Sequence, residues 1–170
     1  MFRRDPLANP EPLIRRVYAY AAYRLGDGPD AEDITSETFE RALRYRKSYD
    51  PAKGEPVAWL MGIAKRCIDG AWSNTEYATE DVDSVDSSDL EEETIRRLTV
   101  SGAVSTLDER DRELIALRYG ADLTARQIAE LLGVRTNAIE VALHRALGRL
   151  RGIMGEEEDA EPVRKRGASR

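Results

Sequence analysis

The side chains with the clearest chemical potential stand close together late in the chain: Arg135, Thr136, Asn137 and Glu140, then His144 and Arg145 a turn later. Cationic and hydrogen-bonding groups on one helix are what reading base edges and gripping phosphates requires. A second group, Asp33, Ser36, Glu37 and Glu40, falls on one side of a helix that starts near Asp30. Such an acidic face could hold a cation, remain solvated or meet a basic partner. Asp30 and Glu32 point different ways on a helix and the sole histidine is over a hundred residues away, which argues against a catalytic metal. A third group, Trp59, Lys65 and Arg66, sits on an apolar helix. Trp59 and Trp72, the only tryptophans, are either core or, if exposed, platforms for an unpaired base at about 1–3 kcal/mol per base. No Gly-rich phosphate loop, Ser-His-Asp set or His/Cys ligand group is present, so the expectation is a protein that binds rather than an enzyme, without metal or cofactor.

The elements that must position these groups are legible from period and caps. Thr124 followed by Gln127 forms a capping box, so a short helix starts near Ala125. Ile128, Ala129, Leu131 and Leu132 give it an apolar face, and Gly133 supplies the backbone freedom to end it. Ile139, Leu143, Leu147 and Leu150 then define one stripe of a second helix. Two helices joined by a tight turn, with the small Ala129 at their crossing, form a helix-turn-helix whose second member enters the major groove. The alternative is an ordinary antiparallel helix pair, which shares the periodicity without needing the Ala-to-Gly spacing.

Composition fixes the class. Ala, Leu, Arg and Glu dominate and β-branched runs are absent, which predicts an all-α protein. The net charge of -6 looks wrong for a nucleic-acid binder, but nine acids and no bases fall between Glu76 and Glu93. Without that segment the balance would be +3, so attraction to phosphate is modest and local. A single cysteine, Cys67, excludes a disulfide framework and suits a reducing cytoplasm. Neither a signal peptide nor a run of about 18 apolar residues is present, so the expectation is a cytoplasmic protein with no membrane insertion.

In chain order, 1–10 is polar with prolines and is expected to be disordered. A helix from Glu11 to Leu25 carries Leu13, Ile14, Val17, Tyr18, Ala21, Ala22 and Leu25 on its apolar side, and GDGPD ends it. The acidic helix from Asp30 turns Ala31, Ile34, Thr38, Phe39, Ala42 and Tyr45 inward. After the DPAKGEP loop, a buried third helix bears Val57, Leu60, Ile63, Ala64, Cys67, Ile68 and Trp72 at helical spacing. The first domain is therefore 11–73. Residues 74–93 are too polar and charged to bury a core and read as a flexible acidic linker. The second domain is 94–152, with helices from Thr94 to Ser105 and from Glu109 to Arg118 ahead of the helix-turn-helix, and 153–170 is an expected disordered tail.

Together these blocks resemble a sigma factor of the extracytoplasmic-function group (ECF, group 4) of the sigma-70 family. YAAYRLGDGPDAEDITSETFERALR resembles the first two conserved stretches of sigma domain 2, with Asp30-Ala31-Glu32-Asp33 as the DAED signature, and GEPVAWLMGIAKRCID resembles the third and fourth. Leu107 to Arg151 resembles domain 4. The resemblance implies that core RNA polymerase is bound through its β′ clamp coiled coil and β flap, the former by Asp30, Asp33, Ser36, Glu37 and Glu40. It implies that Trp59, Lys65 and Arg66 hold the melted minus-10 promoter element. Arg126, Arg135, Thr136, Asn137, Glu140, His144 and Arg145 would face the minus-35 element, and an anti-sigma factor would be a further partner. A linker of some twenty residues reaches roughly 65 Å when extended. The family's promoter spacing of roughly 17 base pairs is near 60 Å at about 3.4 Å each.

The chain departs from the family pattern at Arg66, where Asn is usual, and at Arg135, where a Ser cap is usual. Glu140, Val141 and Ala142 replace Lys, Ser and Arg, which implies fewer phosphate contacts or an altered sequence preference. The rival reading, a free-standing helix-turn-helix regulator, explains Leu107 to Arg151 but gives the acidic helix and the tether no purpose.

Overall fold

The computed structural model describes the backbone of residues 5–74 and 100–159, with side chains over 5–70 and 100–155. Every regular element among them is helical. Helix α1 spans Pro10–Leu25, α2 Pro29–Arg44 and α3 Pro56–Asn74. One-turn 3-10 segments, Arg46–Ser48 and Pro51–Lys53, join the last two. Helix α4 is described over 100–105, α5 over Glu109–Ile115, α6 over Ala125–Leu132 and α7 over Thr136–Asp159. The acidic linker expected at 74–93 and the start of the helix expected from Thr94 lie outside the described residues beyond Asn74, as do 1–4 and 160–170.

Prolines start α1, α2 and α3, where a missing N–H costs nothing and the fixed φ favours the first turn. Their apolar stripes meet in a core of Val17, Ala21, Ile34, Ala42, Leu60, Met61, Ala64 and Ile68. Thr35 and Thr38 enter it by donating their hydroxyls to the Ala31 and Ile34 carbonyls, both at 2.7 Å. Two positions depart from the expected pattern. Leu13 and Val17 define the inward line of α1, and Ile14, off that line, is 43% exposed. Helix α2 ends at Arg44, so Tyr45 leaves the stripe and is 56% exposed rather than turned inward.

After α5 the chain widens into a π-turn, Ala116–Gly120, in which the Ala121 N–H reaches back to the Ala116 carbonyl at 2.9 Å. The helix expected to run regularly to Arg118 is therefore α-helical only to Ile115. Helix α7 continues past Arg151 to Asp159, because Ile153 prolongs the stripe of Leu147 and Leu150 against Val104, Leu107 and Ile115.

The two helical units share one core. Leu114, Leu117, Leu123, Ile128 and Ile139 belong to the same buried cluster as Val17, Tyr20 and Leu60. Helix α1 lies against the π-turn so closely that a Cβ on Gly120 would stand 2.9 Å from the Tyr20 Cα. Arg16 donates to the Ala121 and Asp122 carbonyls at 2.7 and 2.9 Å, satisfying acceptors left over at the end of the helical turn. Tyr20 donates its hydroxyl to Glu113 at 2.8 Å, and Arg24 is ion-paired with Glu113 and, at 3.5 Å, with Glu109.

Candidate nucleic-acid interface and docking face

The helix-turn-helix forms as its local sequence dictates. The Thr124 hydroxyl accepts from the Gln127 N–H at 3.2 Å, and the Gln127 side chain accepts from the Thr124 N–H at 2.9 Å. Gly133 takes the left-handed conformation at φ 68° and closes α6 onto the Ala129 carbonyl. Buried Ile128, Ala129, Ile139 and Leu143 then hold α6 against α7, an arrangement that directs the opposite side of α7 to solvent.

That side lines a shallow cleft between the start of α5 and α7, bordered by Arg110, Arg135, Asn137, Val141, Arg145 and Arg149. Three of the residues expected to face DNA from α7 and its approach thus meet in one place: Arg135, Asn137 and Arg145. Glu140 and His144, one helical turn apart, are exposed outside the cleft. Thr136 is half-buried at the first position of α7. Arg126 stands apart on α6, exposed and ion-paired with Glu130 at 3.1 Å. Arg110 and Arg149 were not anticipated. Arg149 could have been found, since it follows Arg145 at the same i, i+4 spacing; Arg110 is brought in only by the packing of α5 on α7.

On α2, Asp30, Asp33, Ser36 and Glu40 are exposed and Glu37 is half-buried. Glu37 pairs with Arg41, and Glu40 with Arg44 at 3.0 Å. Exposed i, i+4 pairs contribute little, about 0.3–0.5 kcal/mol, so a basic partner can displace them easily. Leu43, 59% exposed, and Tyr45 extend the acidic surface with an apolar end. On α3, Arg66 is exposed and Lys65 is paired with Asp69 at 2.9 Å. Trp59 is half-buried against the core, its ring tilted on Tyr49 with centroids 5.5 Å apart, so only part of the indole faces solvent. The Trp72 side chain lies outside those described.

Burial sets the titration of the interior groups. It pushes the Cys67 thiol up, with Thr38 as a hydrogen-bonding neighbour acting the other way. It also pushes the Tyr20 hydroxyl well above the ordinary phenol range, which keeps that group a donor to Glu113. Among the described residues no group of three or more His, Cys, Asp or Glu side chains could hold a metal ion. No described helix is long and apolar enough to cross a membrane.

Two family models match in order along the chain: sigma-70 region 2 over residues 11–73 and sigma-70 region 4 over 97–150, together well over half of it. The chain belongs to the sigma-70 family. Its relatives place it in the extracytoplasmic-function group. It is 27% identical over 150 residues to the ECF RNA polymerase sigma factor BldN of Streptomyces coelicolor, covering 83% of this chain and 57% of BldN. It is 28% identical over 151 residues to the ECF RNA polymerase sigma factor SigK of Mycobacterium ulcerans, covering 82% of this chain and 80% of SigK. In fold it is similar to the sigma factor RpoE of Bartonella quintana, solved in complex with the anti-sigma factor NepR, at TM-score 0.61 and 18% identity over 85% of this chain and 93% of that one. It is also similar to CnrH, solved in complex with the cytosolic domain of CnrY, at TM-score 0.60 and 19% identity over 92% and 86%. Region 2 of this sigma-70 chain thus comprises α1 to α3, with the acidic surface and Lys65 and Arg66. Region 4 comprises the helix-turn-helix and the arginine-lined cleft. The region 2 match removes the rival of a free-standing helix-turn-helix regulator, which has no use for it.

Proposed function

We propose that this chain acts as a sigma factor: it binds core RNA polymerase and directs initiation at particular promoters. The observation that carries this reading is the ordered pair of matches to region 2 and region 4, each falling on a helical unit with the matching kind of surface. In this reading the exposed carboxylates Asp30, Asp33 and Glu40, with half-buried Glu37 and with Ser36, meet the basic β′ clamp coiled coil, where complementary charge sets register and speeds encounter. Arg66 and Lys65, with the exposed part of Trp59, hold the minus-10 element as bases leave the stack at a few kcal/mol each. Arg135, Asn137 and Arg145 enter the major groove at the minus-35 element, with Arg110 along the phosphates, and Thr136, Glu140, His144 and Arg126 beside them.

Region 4 would also rest on the β flap. An anti-sigma factor is a fitting regulator, as two solved neighbours of similar fold were captured with proteins of that kind or with a partner's cytosolic domain. The chain would then work in the cytoplasm, where polymerase is, by recruitment rather than catalysis. The domain limits 11–73 and 94–152 and the linker 74–93 belong to the same reading. Gel filtration of the purified chain with core RNA polymerase tests it: comigration is expected, and elution as separate species would contradict it.

A further inference from the structure

One large apolar side chain stands among the arginines of the cleft on α7. Val141 is 42% exposed and belongs to neither buried cluster, unlike Ile139, Leu143 and Ala146 on the inward side of the same helix. Asn137 and Arg145 lie four residues to either side of it in the same cleft, and Ala138 and Ala142 share the cleft with them. Asn137, Val141 and Arg145 therefore form a line of i, i+4 neighbours, about 6 Å apart along the axis at a rise of about 1.5 Å per residue. A lone valine on a protein surface needs no explanation. At the centre of a cationic and hydrogen-bonding line it does, because its methyl groups can neither bond to a base edge nor grip a phosphate, and its branched Cβ favours a helix less than most residues.

The groups around Val141 narrow what it can touch. Arg149 is committed to Asp111 and Arg126 to Glu130, while Glu140 sets an exposed carboxylate beside the cleft. Attraction to phosphate, which is blind to sequence, is thereby reduced, and contacts to base edges carry a larger share of binding. The only methyl group that a base pair presents in the major groove is the 5-methyl of thymine. Against the donors and acceptors of the other bases a valine would displace water without replacing its hydrogen bonds. Resting on the proposed sigma function, we infer that Val141 is a specificity-determining residue of this chain, seated against the 5-methyl group of one thymine in the minus-35 element. Asn137 and Arg145 flank that thymine, and the small side chains of Ala138 and Ala142 let the base edge approach the helix closely.

The test uses the holoenzyme formed from the full chain and core RNA polymerase. Transcript starts on a pool of genomic fragments identify a promoter, and each thymine of its minus-35 element, on either strand, is replaced in turn by deoxyuridine. That change removes one methyl group and leaves every hydrogen-bonding group of the base pair in place. At one position it should weaken holoenzyme binding about fourfold with the unmodified chain, as burial of a single methyl implies. With Val141→Ser, which alters an exposed side chain and no core contact, binding to the thymine promoter should fall by a similar factor and the uracil penalty at that position should vanish. An element without thymine, uracil tolerated at every position, or a uracil penalty that persists undiminished in Val141→Ser would each overturn the inference. The starts themselves are mapped whatever base Val141 touches. Their absence would contradict the sigma reading, whereas starts without the coupling between methyl and valine would contradict the role of Val141 alone.

Discussion

Arg149 of α7 forks onto Asp111 of α5, its Nε and Nη2 donating to the two carboxylate oxygens, the latter at 2.8 Å. Asp111 is buried, and its backbone N–H donates to the Asp108 cap at 2.8 Å, which holds the residue in the first turn of α5. The pair pins α7 at the depth where Arg145 and Arg135 face outward. Replacing Arg149 with Ala strands a buried carboxylate, whereas replacing Arg145 strands nothing. Thermal unfolding should therefore show a lower Tm for Arg149→Ala than for Arg145→Ala; equal values would contradict the anchoring role.

Arg145 is exposed within the cleft, and its role is to touch DNA rather than to hold the fold. Arg145→Ala should weaken binding of a minus-35 duplex by about 1–3 kcal/mol if it reads a base, or lower the salt slope by roughly 0.9 if it grips a phosphate. Binding to core polymerase should be unaffected. Gel shifts across a salt series, beside pull-downs with the core enzyme, separate these outcomes, and an equal loss of both activities would refute the assignment.

Asp33 carries the opposite expectation. It is exposed in the first turns of α2, so reversing its charge disturbs no core contact. Asp33→Lys should reduce affinity for core polymerase about tenfold or more, since like charges juxtaposed in an interface cost several kcal/mol. Duplex binding should not fall. Surface plasmon resonance against immobilised core enzyme is the direct check.

The capping box at Thr124 is a local device with a local energy. Thr124→Ala should destabilise the chain by about 1 kcal/mol, and Thr124→Ser by much less, in urea unfolding. Indistinguishable midpoints would mean that packing of Ile128 alone fixes the start of α6.

Cys67 links burial to pH. Its thiol is pushed up in the folded chain, so the stabilisation is fully present below the ordinary thiol value of about 8.5 and is lost as pH rises through the raised value. Native protein at neutral pH should react with a thiol reagent only as fast as it opens, while denatured protein reacts at once. Fast labelling of native protein near neutrality would show the thiol to be accessible.

Much of this architecture could be read from residue spacing. The Thr124 to Gln127 cap, the Gly133 turn and the Ile139, Leu143, Leu147 stripe are local signals, and each produced the expected element. The second buried face of α1 was not legible. Arg16, Tyr20 and Arg24 lie off the apolar stripe of α1, and their partners, Glu113, Ala121 and Asp122, stand some ninety or more residues away. No periodicity reports a contact of that kind. Gly120 was likewise silent, since a glycine needed for close approach has the same sequence signature as one needed for a turn. Tyr45 was misread for a simpler reason: the apolar period of α2 persists one residue beyond the point where its backbone stops being helical.

The most direct test of the sigma assignment is run-off transcription on a pool of genomic fragments with purified core RNA polymerase, with and without this chain. The account predicts discrete transcript starts that depend on the chain and share upstream elements near positions minus-10 and minus-35. Starts that are the same with and without it would contradict the account.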